Sequence, residues 1–360
     1  MTQKKILVVD DSALMRRVLC DIIESDERFR VVARATNGLE ALDLLSRNEY
    51  DAVVLDVNMP KMNGIQLLEK LRENKIRARI MMASTDTREG AKLTLDALEL
   101  GALDFVHKPD SAVDCRVDAF RKKFMEVLEV VVSSQPPEFE SREKIRESRQ
   151  VTAKMVDIAR KYSAKAPGTK VVAIASSTGG PKALHEVIPR LPAELDAPVL
   201  LVQHMPKGFT ASLAERLNEL SPIQVKEAQE GDELQCGCVY VAMGGMHMNV
   251  RRTGSKCVIH YSDEPSREGV KPCANYMYES LADSRYDKIV CVVMTGMGAD
   301  GTEGIRNLEA KRPIHVISQN QATCTVYGMP KAVETAGLSD QVVPLDQIAQ
   351  EIILNVGVKA

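Results

Sequence analysis

At 360 residues the chain has room for two domains of about 150 residues, and its 44% apolar composition gives each a core to bury. A net charge of -3 without a dense Lys/Arg block excludes a sequence-independent nucleic-acid footprint. No run approaches about 18 consecutive apolar residues, and the start "MTQKKILVVDD" lacks the apolar stretch of a secretion signal. A soluble, cytoplasmic chain with no nucleic-acid partner and no membrane insertion is therefore expected.

The first 125 residues alternate short apolar runs with amphipathic stretches. "KILVVD" (5–10), "VVARA" (31–35), "AVVLDV" (52–57), "RIMMAS" (79–84) and "DFVHK" (104–108) read as strands, with helices such as "ALMRRVLCDII" between them. Such alternation predicts a parallel sheet with helices on both faces. Residues 126–168 read as a linker: after a helical start, "SSQPPEFESREKIRESRQ" is rich in Pro, Ser and charge. The alternation resumes with strands expected at 170–177, 197–205, 238–243, 288–297 and 312–319, and with a hairpin followed by a helix in the less regular piece 244–285. The eight cysteines are scattered, and Cys236-Gly237-Cys238 has the wrong gap for a zinc or redox pair, so they read mostly as small apolar core residues in a reducing compartment.

Asp10 and Asp11 end the first expected strand and Asp56 the third. In a doubly wound sheet these ends share the rim where ligands bind. Three carboxylates converging there repel unless a hard divalent cation joins them, and oxygen ligands suit Mg²⁺. Lys108 adds one positive charge from the fifth strand and Ser84 a hydroxyl from the fourth. That set suits phosphoryl transfer to a carboxylate, with Asp56 attacking.

Residues 1–125 resemble the receiver domain of two-component response regulators, through "VVDDS", "VVLDVNMPKMNG", "MMAST" and "FVHKP". The resemblance implies a flavodoxin-like fold with Asp56 as phospho-acceptor. It implies Mg²⁺ on Asp10, Asp11, Asp56 and the backbone carbonyl of Asn58, Ser84 as switch hydroxyl and Lys108 as counter-charge. Asn58, where an acid is frequent, and "STDT" depart from the usual pattern.

In the second half, "VVAIASSTGGPKAL" (171–184) turns from a strand into a helix through two hydroxyls, two glycines and Pro181. Ser177 ends that strand, His204 ends "VLLVQHM", and Asp300 lies in the Gly-rich "MGADG" after "KIVCVVMTG". A serine needs a base in reach, and the base an orienting carboxylate. Neighbouring strands would bring all three to one rim, where N–H groups beside Ser177 could hold an oxyanion. Ser176 is the rival nucleophile and His247 the rival base. His185, on the helix after the turn, reads as structural. The stretch matches neither phosphate-loop pattern. A receiver-linked binding module without chemistry is the competing function, and no basic helix-turn-helix follows the linker to support a DNA-binding output.

Residues 168–355 resemble the catalytic domain of CheB-type chemotaxis receptor methylesterases, through "ASSTGGPKAL", "VQHMPKGFTASLAERL", "GGMHMNV", "VMTGMGADG" and "VYGMPKA". The implied architecture is α/β: two doubly wound parallel-sheet domains, a receiver (1–125) and a Rossmann-like hydrolase domain (169–356), joined by the linker. The implied activity is phosphorylation-activated hydrolysis of glutamyl methyl esters on chemoreceptor cytoplasmic helices, with deamidation of selected glutamines. The partners are then the receptors and a chemotaxis histidine kinase, and the esterase step needs no cofactor. Carried over by motif, Ser177 is nucleophile, His204 base, Asp300 its orienter, the Met297 N–H an oxyanion donor, and Thr178 lines the site. In the unphosphorylated state the receiver is expected to hold the catalytic rim closed to receptor helices. Gln319 and Cys324, in "QNQATCTVYGMP", depart from an expected Asp and paired serines.

Overall fold

The computed structural model describes residues 3–85, 88–109, 115, 117–136 and 168–359. The chain divides into two compact units, at Met1–Glu140 and Ser141–Ala360. Most of the segment read as a linker, from 137 to 167, lies outside the described residues.

In the first unit β1 (Lys4–Val9), β2 (Phe29–Ala35), β3 (Ala52–Asp56), β4 (Ile80–Thr85) and β5 (Asp104–Lys108) form one parallel sheet in the order β2-β1-β3-β4-β5. Every residue of β3 is buried, as a central strand covered by helices on both faces requires. The helices between the strands are closed by their own side chains. Ser12 accepts from the Met15 N–H, Asn37 from Leu39 and Glu40, and Asn63 forms a reciprocal capping box with Gln66. The helix Asp118–Ser133 crosses residue 126 and buries Val127, Leu128 and Val131 against the core built on Ile6, Val54 and Met81. The apolar pattern after Phe124 therefore belongs to a helix packed on this sheet.

The second unit holds a seven-stranded sheet in the order β14-β13-β12-β6-β7-β9-β8, with every neighbouring pair parallel. Its strands are β6 (Lys170–Ser176), β7 (Val199–Gln203), β8 (Gln224–Glu227), β9 (Cys238–Val241), β12 (Lys288–Val293), β13 (Ile314–Gln319) and β14 (Gln341–Val343). The expected hairpin is present as β10 (His247–Thr253) and β11 (Lys256–Ser262), followed by the helix Ala274–Ser280. β8 and β14 were not predicted. Both are short edge strands, "QVKE" and "QVV", without the long apolar run of a central strand. The chain leaves β6 toward β7 on one side and returns to β12 on the other, so the switch point of this sheet lies at the C-terminal end of β6. Both units thus match the predicted doubly wound α/β class.

Candidate active site

On the first rim, Asp10 and Asp56 are buried and Lys108 reaches both, its Nζ donating to Asp10 Oδ2 at 2.9 Å and to Asp56 Oδ1 at 2.6 Å. Asp10, Asp11 and Asp56 each bring a carboxylate oxygen within 4.8 Å of the others. Burial pushes the Asp56 carboxyl up to about 6; Lys108 works against this rise and Asp10 adds to it. Burial opposes the charge on Lys108, yet the two carboxylates hold its pKa above the ordinary value. Three carboxylates facing one ammonium are a donor set that fits a hard divalent cation. Asn58 is exposed, two residues past the end of β3. Ser84 is buried, its hydroxyl 3.4 Å from the Gly90 carbonyl. Gly64 keeps the loop after β3 tight: a Cβ there would lie 2.5 Å from the Asp56 carbonyl oxygen.

On the second rim, register does the assembling. Ser176 and Gln203, the last residues of β6 and β7, are partners across the ladder, and the His204 N–H donates to the Ser176 carbonyl at 3.1 Å. Ser177 and His204 therefore leave the sheet side by side. On the other flank, the Ser177 N–H donates to the Thr295 carbonyl at 3.0 Å, anchoring it to the chain that leads from β12 to Asp300. His204 Nε2 lies 2.7 Å from Asp300 Oδ2, and its buried Nδ1 has no hydrogen-bond partner among the described residues.

Asp300 is itself held at the start of the helix Ala274–Ser280. It accepts from the N–H groups of Ala274 (2.6 Å) and Asn275 (3.0 Å) and from the Cys273 thiol (3.0 Å). Burial alone would raise its pKa, but His204, the thiol and the helix-end N–H hold the carboxyl below its ordinary value. Asn275 completes the bracket, its Oδ1 accepting from Gly301 (3.1 Å) and Gly304 (2.6 Å) at the foot of the next helix.

The turn after β6 is tight. Gly179 has φ +74° and the Gly180 N–H donates back to the Ser177 carbonyl at 2.7 Å. That N–H is thus committed, which removes it from the donors expected to be free for an oxyanion. Ser177 and Thr178 are half-buried, and Met297 is 44% exposed on the Gly-rich loop. Gly296 lies directly against the nucleophile candidate, since a Cβ on it would meet Ser177 Cβ at 2.8 Å.

The rivals Ser176 and His247 are both fully buried. Ser176 has its hydroxyl donated to Gln203 Oε1 at 2.7 Å. His247 has its ring tilted against that of Tyr276, centroids 4.5 Å apart. Gln319, the departure near the site, is fully buried and braces it: Oε1 accepts from the Thr295 N–H at 2.8 Å while Nε2 donates to the Thr323 carbonyl at 2.8 Å. Burial pushes the neighbouring Cys324 thiol up to about 12. Gln203, Cys273, Asn275 and Thr295 were missed in sequence, because they act on backbone groups and on Asp300 through contacts that no motif encodes.

With this geometry established, the comparisons are specific. The CheB methylesterase family matches residues 172–352 and the response regulator receiver domain residues 6–116. The protein-glutamate methylesterase/protein-glutamine glutaminase 1 of Syntrophomonas wolfei is 40% identical, over 98% of this chain and 99% of its own length. The protein-glutamate methylesterase/protein-glutamine glutaminase of Bacillus subtilis is 40% identical, over 97% of each chain. The crystal structure of the Thermotoga maritima CheB methylesterase catalytic domain is 38% identical with a TM-score of 0.50, spanning 52% of this chain and 98% of that one. The chain belongs to the CheB methylesterase family, with a response regulator receiver domain ahead of its catalytic part.

Proposed function

We propose that this protein is a phosphorylation-regulated serine hydrolase that demethylates glutamyl methyl esters, and deamidates glutamines, on the cytoplasmic helices of chemoreceptors. The observation that carries the reading is the 2.7 Å His204–Asp300 pair beside Ser177 at the switch point of the second sheet. In this reading Ser177 Oγ attacks the ester carbonyl carbon while its proton passes to His204 Nδ1, the ring nitrogen not engaged by Asp300. Collapse of the adduct breaks the C–OCH₃ bond, and the proton moves from His204 to the departing oxygen, releasing methanol. Water then attacks the acyl-serine with His204 again as base, giving the glutamate carboxylate and free Ser177. A glutamine follows the same path with ammonia leaving. Asp300 keeps the ring oriented and stabilises its charged form, the Met297 N–H receives the developing oxyanion, and Thr178 lines the approach. The esterase step is assigned to these groups alone, without a cofactor.

The receiver, expected at residues 1–125, is assigned the regulatory phosphorylation and extends through the helix that ends at Ser133, so the linker expected at 126–168 begins after that helix, with 169–356 as catalytic domain. Asp56 accepts a phosphoryl group from a chemotaxis histidine kinase. Asp10, Asp11, Asp56 and the Asn58 carbonyl would hold Mg²⁺, which when bound neutralises charge on the transferring phosphoryl oxygens. Lys108 supplies the fixed positive charge, and Ser84 moves to the phosphoryl oxygen as the switch hydroxyl. The setting is the cytoplasm; among the described residues no helix is long and apolar enough to cross a membrane. The test is methanol release from a methylated receptor, with and without a small-molecule phosphodonor and Mg²⁺. Release that rises with the phosphodonor is expected; no release in either condition overturns the reading.

A further inference from the structure

β6 and β7 end together at Ser176 and Gln203, and the bond from the His204 N–H to the Ser176 carbonyl is the last backbone tie between them. Ser177 and His204 are the first residues past the end, and on the reading above they must stay in reach of each other through the reaction. Beyond that tie the Gln203 side chain links the two segments. Gln203 is 2% exposed, and its Nε2 donates to the Ser177 carbonyl at 2.9 Å and to the His204 carbonyl at 3.2 Å. Its Oε1 accepts the Ser176 hydroxyl at 2.7 Å.

The amide orientation follows from chemistry: two carbonyls can only accept, so the NH₂ must face them, and a hydroxyl remains for the oxygen. An amide buried this deeply costs free energy unless its groups are bonded, and here both hydrogens and the oxygen are used. An apolar residue of similar volume would fill the space as well, so packing alone does not call for glutamine. Asparagine, one methylene shorter, places its amide too far back to bridge both carbonyls. Glycine at 180 leaves the space the amide occupies: a Cβ there would fall 1.9 Å from Gln203 Oε1.

We propose that Gln203 is a positioning residue that continues the β6–β7 ladder past its end and sets the separation and orientation of Ser177 and His204. The inference rests on the esterase reading, since it concerns the spacing of that reading's nucleophile and base. Gln203 touches no reacting atom; it holds the two residues that do.

The test uses the full chain and methanol release from methylated receptor, with Gln203→Met and Gln203→Asn beside the unsubstituted protein. Rates are expressed per folded molecule from the cooperative melting transition. Both variants should lose about 10- to 100-fold in kcat, with KM changed by no more than about twofold, because substrate contacts remain. The inactivation rate constant with a serine-directed fluorophosphonate should fall in parallel at unchanged half-saturation. An unchanged kcat per folded molecule in Gln203→Met overturns the proposal, whatever happens to its melting temperature, because the glutamine is then a packing residue only. Full activity in Gln203→Asn overturns the bridging geometry. If the unsubstituted protein releases no methanol, the esterase reading fails instead; release that both variants retain defeats the bridge and leaves that reading standing.

Discussion

Asp56 and Asp300 are both buried aspartates at the C-terminal rim of a parallel sheet, yet their carboxyls are pushed in opposite directions. Burial raises both. Asp56 stays high, at about 6, because its one cationic partner, Lys108, is shared with Asp10, a like charge. Asp300 is drawn below its ordinary value because donors surround it: two helix-end N–H groups, a thiol and the His204 ring. The first site is an anion cluster short of positive charge, as suits a place that takes up a cation and a phosphoryl group. The second is an anion already satisfied, as suits a group that must stay ionised while the imidazole beside it gains and loses a proton.

The contrast can be broken at several points. The largest effect is expected from Ser177→Ala, which should lower kcat for methanol release by about 10⁶-fold and abolish fluorophosphonate labelling, while Ser176→Ala still labels. Equal labelling of both variants would overturn the assignment of the nucleophile. Asp300→Asn keeps the shape but loses the charge, and should lower kcat by about 10⁴-fold, measured by the same release assay. Next in size, Asp56→Asn should erase the response to phosphodonor, a change on the order of 5- to 150-fold for a coupling of this kind. Basal release should persist in that variant, and a phosphodonor response that survives would remove Asp56 from its role.

A smaller effect concerns acid stability. The Asp300 carboxyl is depressed in the folded state, so it contributes stability that is fully present above its ordinary value of 3.8 and lost as pH falls through the lower folded value. Melting of the catalytic unit should therefore lose stability below about pH 4, and Asp300→Asn should flatten that part of the profile. A parallel profile in the variant would mean that the donors around Asp300 do not favour its charged form. The smallest change is expected for Gln319→Met, which leaves the Thr295 N–H without its acceptor. A loss of about 1–3 kcal/mol in unfolding free energy is expected, read by denaturant titration, with kcat reduced less than in the Gln203 variants.

The strands that carry the two rims were legible because central parallel strands are near-continuous apolar runs, and the residues that end them stand out by polarity. Asp10, Asp56, Lys108, Ser177 and His204 were found that way, and Asp300 by the Gly-rich turn that carries it. β8 and β14 were not legible, since edge strands with mixed polarity resemble loops. The helical continuation to Ser133 was partly hidden by the linker composition that follows it.

By itself the sequence determined the two α/β units, the acid cluster with its lysine, and the serine, histidine and aspartate that one rim would share. It did so because apolar periodicity and residue type are local properties. Only the tertiary structure decided how those groups are held: Gln203 bonding the carbonyls of two neighbouring strands, Gln319 bracing Thr295, and a helix end and a thiol converging on Asp300. These depend on register and on backbone groups, which every residue carries alike. Ser176 and Ser177 are the same residue type side by side, and what separates them is that Ser176 is fully buried with its hydroxyl bonded to Gln203, while Ser177 is only half-buried past the strand end.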